Sequence, residues 1–577
     1  MSTPRPSRIV AFAVALVALL VAAGYRLAPP AAGALASAPS SATPGAPAGQ
    51  GALDGQAAPA GNATPASQAA PAARLLPRDE RFLDQLEERT FRWFWDLANP
   101  ANGLVPDRAP SPSFSSVAAV GFGLTSYPIG VERGWVTRAE ARARVLATLR
   151  FLLAAPQGAA PSGMTGYHGF FYHFLDMGTG RRFKDVELSP IDTALLMAGV
   201  LLDESYFDAA AGAPGDPRGD EAAIRTAAEE LYTRVDWRWM QPHPPDVALG
   251  WSPESGYIPY EWRGYNEAVI LYVLALGSPA HAVDEEAWRR YTSTYLWGEY
   301  FGQQYLAFTP LFGYQYPHVW IDFRGIRDDF MRAHDSDYFE SARRATLAQR
   351  AYAIANPGGF RGYGPEIWGL TACDGPGDLT LEIDGRTRVF HGYWARGAAL
   401  NGVRDDGTLA PTAAASAIAV APEIALPAIE EMARRYGDRL YTTYGFLDAW
   451  NPTFRSATSA ATGDGRSRGR PATSAATGDG RSRGRPAAGA AKGDGRGPDR
   501  TPANQPWRIE RGRVDPDLGW FDTDALGIDQ GPIVAMIENY RSGLIWRLMR
   551  RNPHLARGLR RAGFEGGWLA AAESPAH

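Results

Sequence analysis

The sequence predicts an all-α protein, and three observations support this fold class. Helical periodicity with recognisable helix ends recurs about twelve times along the chain, whereas strand patterns are few. The connections between helices alternate between short and long. This alternation favours helical hairpins arranged as an α/α toroid whose long loops lie on one face, and a generic all-α bundle is the alternative.

Composition narrows the classes of function. The chain has 577 residues, a net charge of -4 and a pI near 6.2, so no nucleic-acid partner is predicted. Its length exceeds that of one average domain, although length is only a weak guide to domain count. Cys373 is the single cysteine, which excludes an internal disulfide framework.

The N-terminus has the features of an export signal. Arg5 and Arg8 precede an apolar run over 9–23, so residues 1–28 are predicted to be a signal peptide or an N-terminal membrane anchor. Residues 29–75 are rich in Ala and Pro and read as a disordered linker. We therefore expect an exported protein, periplasmic or secreted, whose only membrane contact would be an anchor formed by 9–23.

Helices are predicted through most of 76–565, which we interpret as one catalytic domain. The clearest start is the capping box of Thr137 and Glu140 ahead of an apolar series over 145–153. The other predicted helices span 79–97, 113–126, 189–202, 220–235, 266–277, 284–297, 338–355, 410–419, 422–436, 530–549 and 554–562. A β-hairpin is predicted between 379–383 and 387–390, across Asp384 and Gly385.

One segment interrupts this pattern. The sequence of 457–471 recurs unchanged at 472–486, and a degraded copy follows to about residue 500. No copy has an apolar face that could stack on another, so the segment 457–506 reads as a surface insertion rather than a solenoid. Contact of its excess arginines with anionic envelope polymers is an alternative. Residues 566–577 are predicted to be a disordered tail.

Glu267 is the main catalytic candidate. Asn266 is a suitable N-cap, Glu267 would open a helix, and the side chains from 268 to 276 are apolar except for Tyr272, so Glu267 should lie at the rim of a buried helix. Aromatic residues precede it at Trp251, Tyr257, Tyr260, Trp262 and Tyr265. Rings and carboxylates together are typical of sugar sites. The alternative is that Glu267 only complements the helix dipole.

A second acidic group enters the helix predicted at Ser189. Asp185, Glu187 and Asp192 follow an aromatic loop and could supply a general base or ligands for sugar hydroxyls. Asp192 lies three residues after Ser189, so a purely structural role in a capping box is an equal alternative.

The run 310–324 interleaves polar side chains with rings, which favours a hydroxyl-bearing ligand. In an extended loop, Trp320, Asp322 and Arg324 would project to one side and hold a glucosyl unit by stacking and hydrogen bonds. The alternative is that these are core residues. His318 and His334 lack metal-ligand spacing, and no metal site is predicted.

Several motifs occur together in order: ELSPIDTALL, WRGYNEAVILYVLALGSP, FGYQYPHVWIDFRG, RRATLAQRAYAIANP, EIWGLTACDGP, DDGTLAP, YGFLDAWN and GIDQGPIVAMIENYRSGLIW. With them the chain resembles the bacterial glycoamylase-like domain, a group that includes the endo-β-1,2-glucanases of glycoside hydrolase family 144. The resemblance covers roughly 79–564 and is broken by the insertion. It implies an (α/α)6 barrel, a periplasmic or secreted location and inverting hydrolysis of β-1,2-glucan rather than starch.

Inversion requires two carboxyl groups roughly 6.5 to 9.5 Å apart, an acid and a base. We expect Glu267 to be the acid, with Asp192 or Glu187 as the base or as a sugar ligand. A helix N-terminus lowers a carboxyl pKa, so burial must outweigh it if Glu267 is to carry a proton. The predicted substrate-binding residues are Trp262, Tyr314, Gln315, His318, Trp320, Asp322, Arg324, Glu366, Trp368, Asp374, Asp448 and Asn451.

The predicted partner is a polysaccharide or oligosaccharide, bound by a monomer without a cofactor. Two other functions remain open from the sequence. A non-catalytic glucan-binding or envelope protein would keep the aromatic residues and tolerate loss of the acids. A β-1,2-glucan transglycosylase would use the same site with a sugar in place of water.

Overall fold

The structure is a computed structural model that describes residues 75–210, 212–455 and 508–571. The predicted signal or anchor at 1–28, all but the last residue of the linker at 29–75, and the insertion at 457–506 lie outside these residues, so the domain boundaries stay predictions. In the described ranges, no helix is both long enough and apolar enough to cross a membrane.

Sixteen α-helices lie in the described ranges. They are α1 Pro77–Leu97, α2 Val117–Glu132, α3 Arg138–Ala154, α4 Pro190–Tyr206, α5 Asp220–Thr233, α6 Val269–Gly277, α7 Glu286–Thr292, α8 Phe312–Trp320, α9 Asp329–Ala333, α10 Tyr338–Ala355, α11 Pro411–Ala415, α12 Pro422–Tyr436, α13 Gly527–Arg541, α14 Leu544–Met549, α15 Pro553–Arg561 and α16 Gly567–Ala571. The last helix lies inside the segment predicted to be a disordered tail.

The same ranges contain twenty-one short strands in ten small sheets. They are β1 Arg108–Ala109, β2 Ser115–Ser116, β3 Gly166–Tyr167, β4 Phe170–Phe171, β5 Phe174–Leu175, β6 Trp251–Ser252, β7 Gly256–Tyr257, β8 Trp297–Tyr300, β9 Gln303–Leu306, β10 Ala372–Cys373, β11 Leu379–Ile383, β12 Arg386–Phe390, β13 Trp394–Ala395, β14 Gly397–Ala399, β15 Gly402–Arg404, β16 Tyr441–Thr442, β17 Gly445–Phe446, β18 Trp450–Asn451, β19 Arg513–Asp515, β20 Gly519–Phe521 and β21 Ala525–Leu526. The prediction of an all-α fold, an (α/α)6 toroid, is therefore wrong.

The long loops explain why strands form. Backbone groups that are shielded from water must find partners, and those of the loops do so in short antiparallel pairs, most within one loop and some between different loops. Strand β1 pairs with β21, and β2 pairs with β5. Leu188 and Trp251 form an isolated bridge. These pairs join the loops that lead into α2, α4 and α13 at one end of the helices.

The core consists of helices that pack directly on one another. Helix α2 contacts α4 and α13, α4 contacts α6, and α8 contacts α6 and α13. Gly121 and Gly199 allow α2 and α4 to touch through their backbones, since a Cβ on Gly199 would lie 2.2 Å from the carbonyl oxygen of Gly121. The loops that carry the aromatic and acidic residues lead directly into the N-terminal ends of α2, α4 and α6.

Most predicted helices are confirmed within a few residues. The capping box of Thr137 and Glu140 is complete in both directions, and the hairpin of β11 and β12 turns through Asp384 and Gly385, both with positive φ. The predicted helix 530–549 is instead α13 and α14, separated at Gly543, whose φ is 67°. The predicted helix 284–297 ends early at Thr292, and the chain then forms β8.

Candidate active site

Glu267 lies in the turn that leads into α6, not inside the helix. The helix begins at Val269, and the Asn266 side chain accepts a hydrogen bond from the Ala268 N–H at 3.0 Å. Glu267 is 7% exposed, and its Oε2 is buried without a hydrogen-bond partner in the described part of the chain. Burial, with a contribution from the charge of Asp192, raises the pKa of Glu267 to about 7.

Glu187 and Asp192 flank a histidine. His173 Nδ1 lies 2.9 Å from Glu187 Oε1, and its Nε2 lies 3.6 Å from Asp192 Oδ2. Burial alone would lower the pKa of His173, but the two carboxylates outweigh it and raise the pKa to about 9. His173 is therefore an imidazolium at neutral pH, and it bridges the two acids.

The two acids respond differently to this charge. Burial raises the pKa of Glu187, but His173 more than compensates and holds that pKa below its usual value. Burial prevails at Asp192, whose pKa is raised despite His173. Ser189 Oγ donates to Asp192 Oδ2 at 2.5 Å and accepts from the Asp192 N–H at 3.2 Å, so the predicted capping contact is present as well.

Aspartates form a third acidic group. Carboxylate oxygens of Asp374, Asp448 and Asp522 lie within 4.8 Å of one another. The Asp374 N–H donates to Asp448 Oδ2 at 2.7 Å. Asp448 and Asp529 share a further side-chain hydrogen bond, and burial raises the pKa of Asp529 to about 7. Carboxyl groups this close cannot all be ionised at neutral pH, so this cluster holds protons.

Two arginines compensate part of that negative charge. Arg108 Nη1 and Arg511 Nη1 lie 2.5 and 2.8 Å from the same atom, Asp374 Oδ2. Oxygens such as those of Asp374, Asp448 and Asp522 suit a hard cation, although the sequence predicted no metal. A second group with donors close enough for a metal is Glu204, Glu229 and His554, at the far end of α4.

Tyr316 connects the first and third acidic groups. Its pKa is raised by burial and by the negative charges of Asp529, Glu267 and Asp448, together with Tyr393. The interaction of two charges strengthens as they approach each other. The carboxyl groups of Glu267, Asp448 and Asp529 therefore all lie near the Tyr316 hydroxyl.

The predicted binding run at 310–324 is not an extended loop. Residues 312–320 form α8, because internal hydrogen bonds satisfy their polar groups inside the core. The Trp320 indole is fully buried and donates to Thr125 Oγ1 at 3.0 Å, and Gln315 Nε2 donates to the Ala413 carbonyl at 2.7 Å. Tyr314 donates to the Leu306 carbonyl, and His318 Nδ1 lies 2.6 Å from the Tyr314 carbonyl. These side chains hold the core together.

The remaining predicted residues divide into two groups. Asp374 and Asp448 lie in the aspartate cluster, and Trp262 and Trp368 are buried with indole N–H groups that have no partner in the described ranges. The others lie elsewhere: Asp322 is buried and bonds Arg324 at 2.8 Å, Asn451 donates to Asp406 and Thr408, and Glu366 is exposed. The hydrogen bonds of this second group in the described ranges give no link to Glu267, Glu187 or the aspartate cluster, and its role in substrate binding stays a prediction.

Sequence reasoning missed several residues that face the acids: His173, Asp522, Asp529, Tyr316, Tyr393, Arg108 and Arg511. Signals existed for some of them. His173 lies in the aromatic loop before Glu187, and Asp529 and Tyr316 lie in motifs of the family resemblance. Arg108 and Arg511 carry no such pattern and are found only through their contacts.

One protein family matches this chain. The model of the Glycoamylase family, which is described as "Putative glucoamylase", matches residues 259–553. An exo β-1,2-glucooligosaccharide sophorohydrolase (non-reducing end) from Parabacteroides distasonis is 25% identical over 517 residues. That alignment covers 84% of this chain, and the chain spans 58% of the relative.

Solved structures share the fold. A crystal structure from Bacteroides uniformis, also described as a "putative glucoamylase", is 29% identical in sequence to this chain. The two structures superpose with a TM-score of 0.65 over 86% of this chain and 100% of that one. An endo-β-1,2-glucanase from Chitinophaga pinensis, in complex with sophorotriose and glucose, is 24% identical, with a TM-score of 0.64 over 85% of this chain and 99% of that one. The resemblance predicted from the motifs is confirmed: the family model matches more than half of the chain, and the chain belongs to the Glycoamylase family.

Proposed function

We propose that this protein is a glycoside hydrolase that cleaves β-1,2-glucan, as an endo-acting, inverting enzyme with two catalytic carboxyl groups. The observation that carries the proposal is Glu267, a buried carboxyl group with a pKa of about 7 and an unpartnered oxygen. The relatives named for β-1,2-glucans and their oligosaccharides support the choice of linkage.

Glu267 is suited to protonate the leaving oxygen. A general acid works best when its pKa lies near the working pH, and a carboxyl at about 7 is half protonated there. The turn before α6 contributes only one opposing effect, a backbone hydrogen bond that lowers the pKa less than burial raises it. The unpartnered Oε2 leaves an atom available for the glycosidic oxygen.

The base must be ionised, and two groups are candidates. Glu187 is held in its ionised form by His173. The Asp448 and Asp529 pair shares a hydrogen bond, and both carboxyl groups act on Tyr316, as Glu267 does. The pKa of Asp448 is raised well above its usual value and that of Asp529 to about 7, so Asp529 ionises first and is about half ionised at neutral pH. Asp192, with its raised pKa, fits better as the neighbour that tunes Glu267.

The proposal is tested by incubating the purified protein with linear β-1,2-glucan, β-1,3-glucan and starch, and by measuring new reducing ends. We expect cleavage of β-1,2-glucan alone, with sophoro-oligosaccharides of mixed length appearing early. Proton NMR of the first products should show the α-anomer, because inversion of a β-linkage gives that configuration.

Other results would revise the proposal in defined ways. Sophorose alone from the first minutes would indicate exo action. Longer products formed from short ones would indicate transglycosylation. No cleavage by a folded protein that still binds the glucan would favour a binding protein and would overturn the proposal.

We also propose that the protein is exported and acts in the periplasm or outside the cell. The support is the basic and apolar pattern of 1–28. Fractionation of cells that express the full chain, followed by N-terminal sequencing of the mature protein, separates a cleaved signal from a retained anchor. Recovery of the uncleaved chain in the cytoplasm would contradict export.

A further inference from the structure

A cluster of five rings lies beside the acidic loops and takes no part in the chemistry described above. We call it the aromatic platform: Tyr167, His168, Trp239, Trp251 and Tyr257. The ring centroids of Tyr167, Trp239 and Trp251 are mutually 5.3 to 5.4 Å apart. All five side chains are partly exposed, so the cluster is a surface rather than a core.

Within the platform, Trp251 is partly exposed and differs from Trp239 in that no ring of the described residues stacks on it. His168 stacks on Trp239 at 4.3 Å with 13° between the planes, which covers one face of that indole. Trp251 meets Tyr167 at 44° and Trp239 at 62°, so neither neighbour lies parallel to it. Among the described residues, no ring stacks on Trp251.

The backbone places Trp251 next to the acidic group at Glu187. The Leu188 N–H donates to the Trp251 carbonyl at 2.7 Å, and the Trp251 N–H donates to the Leu188 carbonyl at 3.1 Å. Leu188 directly follows Glu187, and a Cβ on the neighbouring Gly250 would lie 3.1 Å from Glu187 Cγ. The platform is thus continuous with the wall of the proposed active site.

The hairpin that carries Trp251 is held in place. Strands β6 and β7 pair through Trp251 and Tyr257. At the tip, Glu254 accepts two hydrogen bonds from Arg182, at 2.7 and 3.0 Å, and the Arg182 Nε donates to the Val186 carbonyl. Both anchors belong to the loop that carries Glu187. Little ordering cost therefore remains when a ligand meets the ring.

We propose that Trp251, supported by the aromatic platform, stacks on a glucosyl unit of the glucan away from the bond that is cleaved. This rests on the proposed function. The face of a pyranose ring is apolar and fits an aromatic face, whereas its hydroxyls remain at the edge. On this proposal the stacked unit is not one of the two that flank the cleaved bond, so only chains long enough to reach Trp251 gain from the contact.

The experiment compares sophoro-oligosaccharides of defined length, from the shortest that is cleaved to chains two or three units longer. We expect Trp251→Ala to lower kcat/KM about tenfold on the longer chains, equivalent to about 1.4 kcal/mol, and to leave the shortest substrate almost unchanged. Trp251→Phe keeps a ring face and should restore most of the loss. Trp251→Leu replaces Trp251→Ala if the latter does not fold.

Trp297→Ala is the matched control. Trp297 also lies on a short hairpin and is partly exposed, but His334 stacks on it at 4.4 Å and 19°. Its loss should affect long and short substrates equally.

The outcomes are separable. Equal kcat/KM ratios for long and short chains in wild type and Trp251→Ala would overturn the subsite while the proposed function stands. A wild-type protein that cleaves no β-1,2-glucan of any length would instead overturn the proposed function. Long and short oligomers are then titrated into the Glu267→Gln variant and into the same variant that also carries Trp251→Ala. The difference in affinity reports whether Trp251 contributes to binding.

Discussion

Glu267 and Glu187 lie in neighbouring loops, and desolvation acts to raise the pKa of both, yet their pKa values move in opposite directions. Glu267 is buried, and desolvation together with the negative charge of Asp192 raises its pKa to about 7. Glu187 is partly exposed. Glu187 meets the His173 imidazolium at 2.9 Å, and its pKa falls. The presence of a cation, rather than depth of burial, decides which carboxyl keeps its proton.

This difference assigns chemical roles. A proton donor and an ionised carboxylate are needed at the same pH, and one fold supplies both by giving a counterion to only one acid. The aspartate cluster is an intermediate case, because Arg108 and Arg511 compensate only part of its negative charge.

The largest expected effect is the loss of activity in Glu267→Gln. Removing a general acid typically costs about a hundredfold to ten-thousandfold in turnover, and the amide keeps the shape of the side chain, so the fold should persist. Initial rates on β-1,2-glucan and thermal melts measure both effects.

Glu204→Gln is the matched control. Burial also raises the pKa of Glu204 to about 7, but Glu204 lies twelve residues after Asp192 in α4, roughly 18 Å along the helix axis. Its replacement should leave the rate unchanged. Near-normal activity in a folded Glu267→Gln variant would limit Glu267 to a structural role.

The second largest effect is a loss of stability, and it is expected when the His173 imidazolium is removed. His173→Gln should destabilise the protein by up to about 3 kcal/mol at pH 6, because it removes the ion pairs that raise the pKa of His173 from 6.5 to about 9. The folded-state pKa of about 9 exceeds the usual value of 6.5, so His173 contributes fully below about 6.5 and loses this contribution as the pH rises through 9. Urea unfolding of both proteins at pH 6 and pH 9.5 measures this. An equal difference at both values would contradict a charged His173.

The third prediction applies the same linkage, with the same sign, to Glu267, whose folded-state pKa is also raised. Its folded-state pKa of about 7 lies above the ordinary 4.5, so the folded protein binds the proton more tightly and loses stability as the pH rises from about 4.5 to 7. Glu267→Gln cannot lose this proton. Relative to wild type, the variant should gain up to about 3 kcal/mol over that range and stay constant above it. A flat difference in unfolding free energy between pH 4.5 and 7 would rule out a raised pKa.

Local signals in the sequence predicted much of the helical scaffold. The capping box at Thr137, the hairpin turn at Asp384 and the position of Glu267 ahead of an apolar helix depend on near neighbours in the chain, and each is present in the structure. The strands between loops depend on partners far apart, such as β1 with β21, and no local pattern reports them.

The run at 310–324 shows the limit of composition as a guide. Its mixture of rings and polar groups suggested a wet surface, but several of its polar groups find partners inside the core, as Trp320 does at Thr125 and Gln315 does at Ala413. Polar side chains look alike in sequence whether a ligand or the protein satisfies them. His173 was missed for the related reason that its role depends on two acids reached only after folding.

The smallest effect distinguishes tuning from catalysis at Asp192. Asp192→Asn removes the negative charge that raises the pKa of Glu267, while the amide oxygen can still accept the Ser189 hydroxyl and the capping N–H remains. If Asp192 only tunes Glu267, the alkaline limb of the pH–rate profile should move to lower pH by a fraction of a unit, and the maximal rate should change less than about tenfold. If Asp192 is the base, the alkaline limb should shift in the same way, and the rate at the optimum should in addition fall at least about a hundredfold. Glu187→Gln, measured beside it, isolates the other predicted base: a large loss there with a small one in Asp192→Asn assigns the ionised partner of His173 to catalysis. Small losses in both variants direct the assignment to the pair of Asp448 and Asp529, and Asp529→Asn, which removes the carboxyl group of the pair that ionises first, should then abolish turnover.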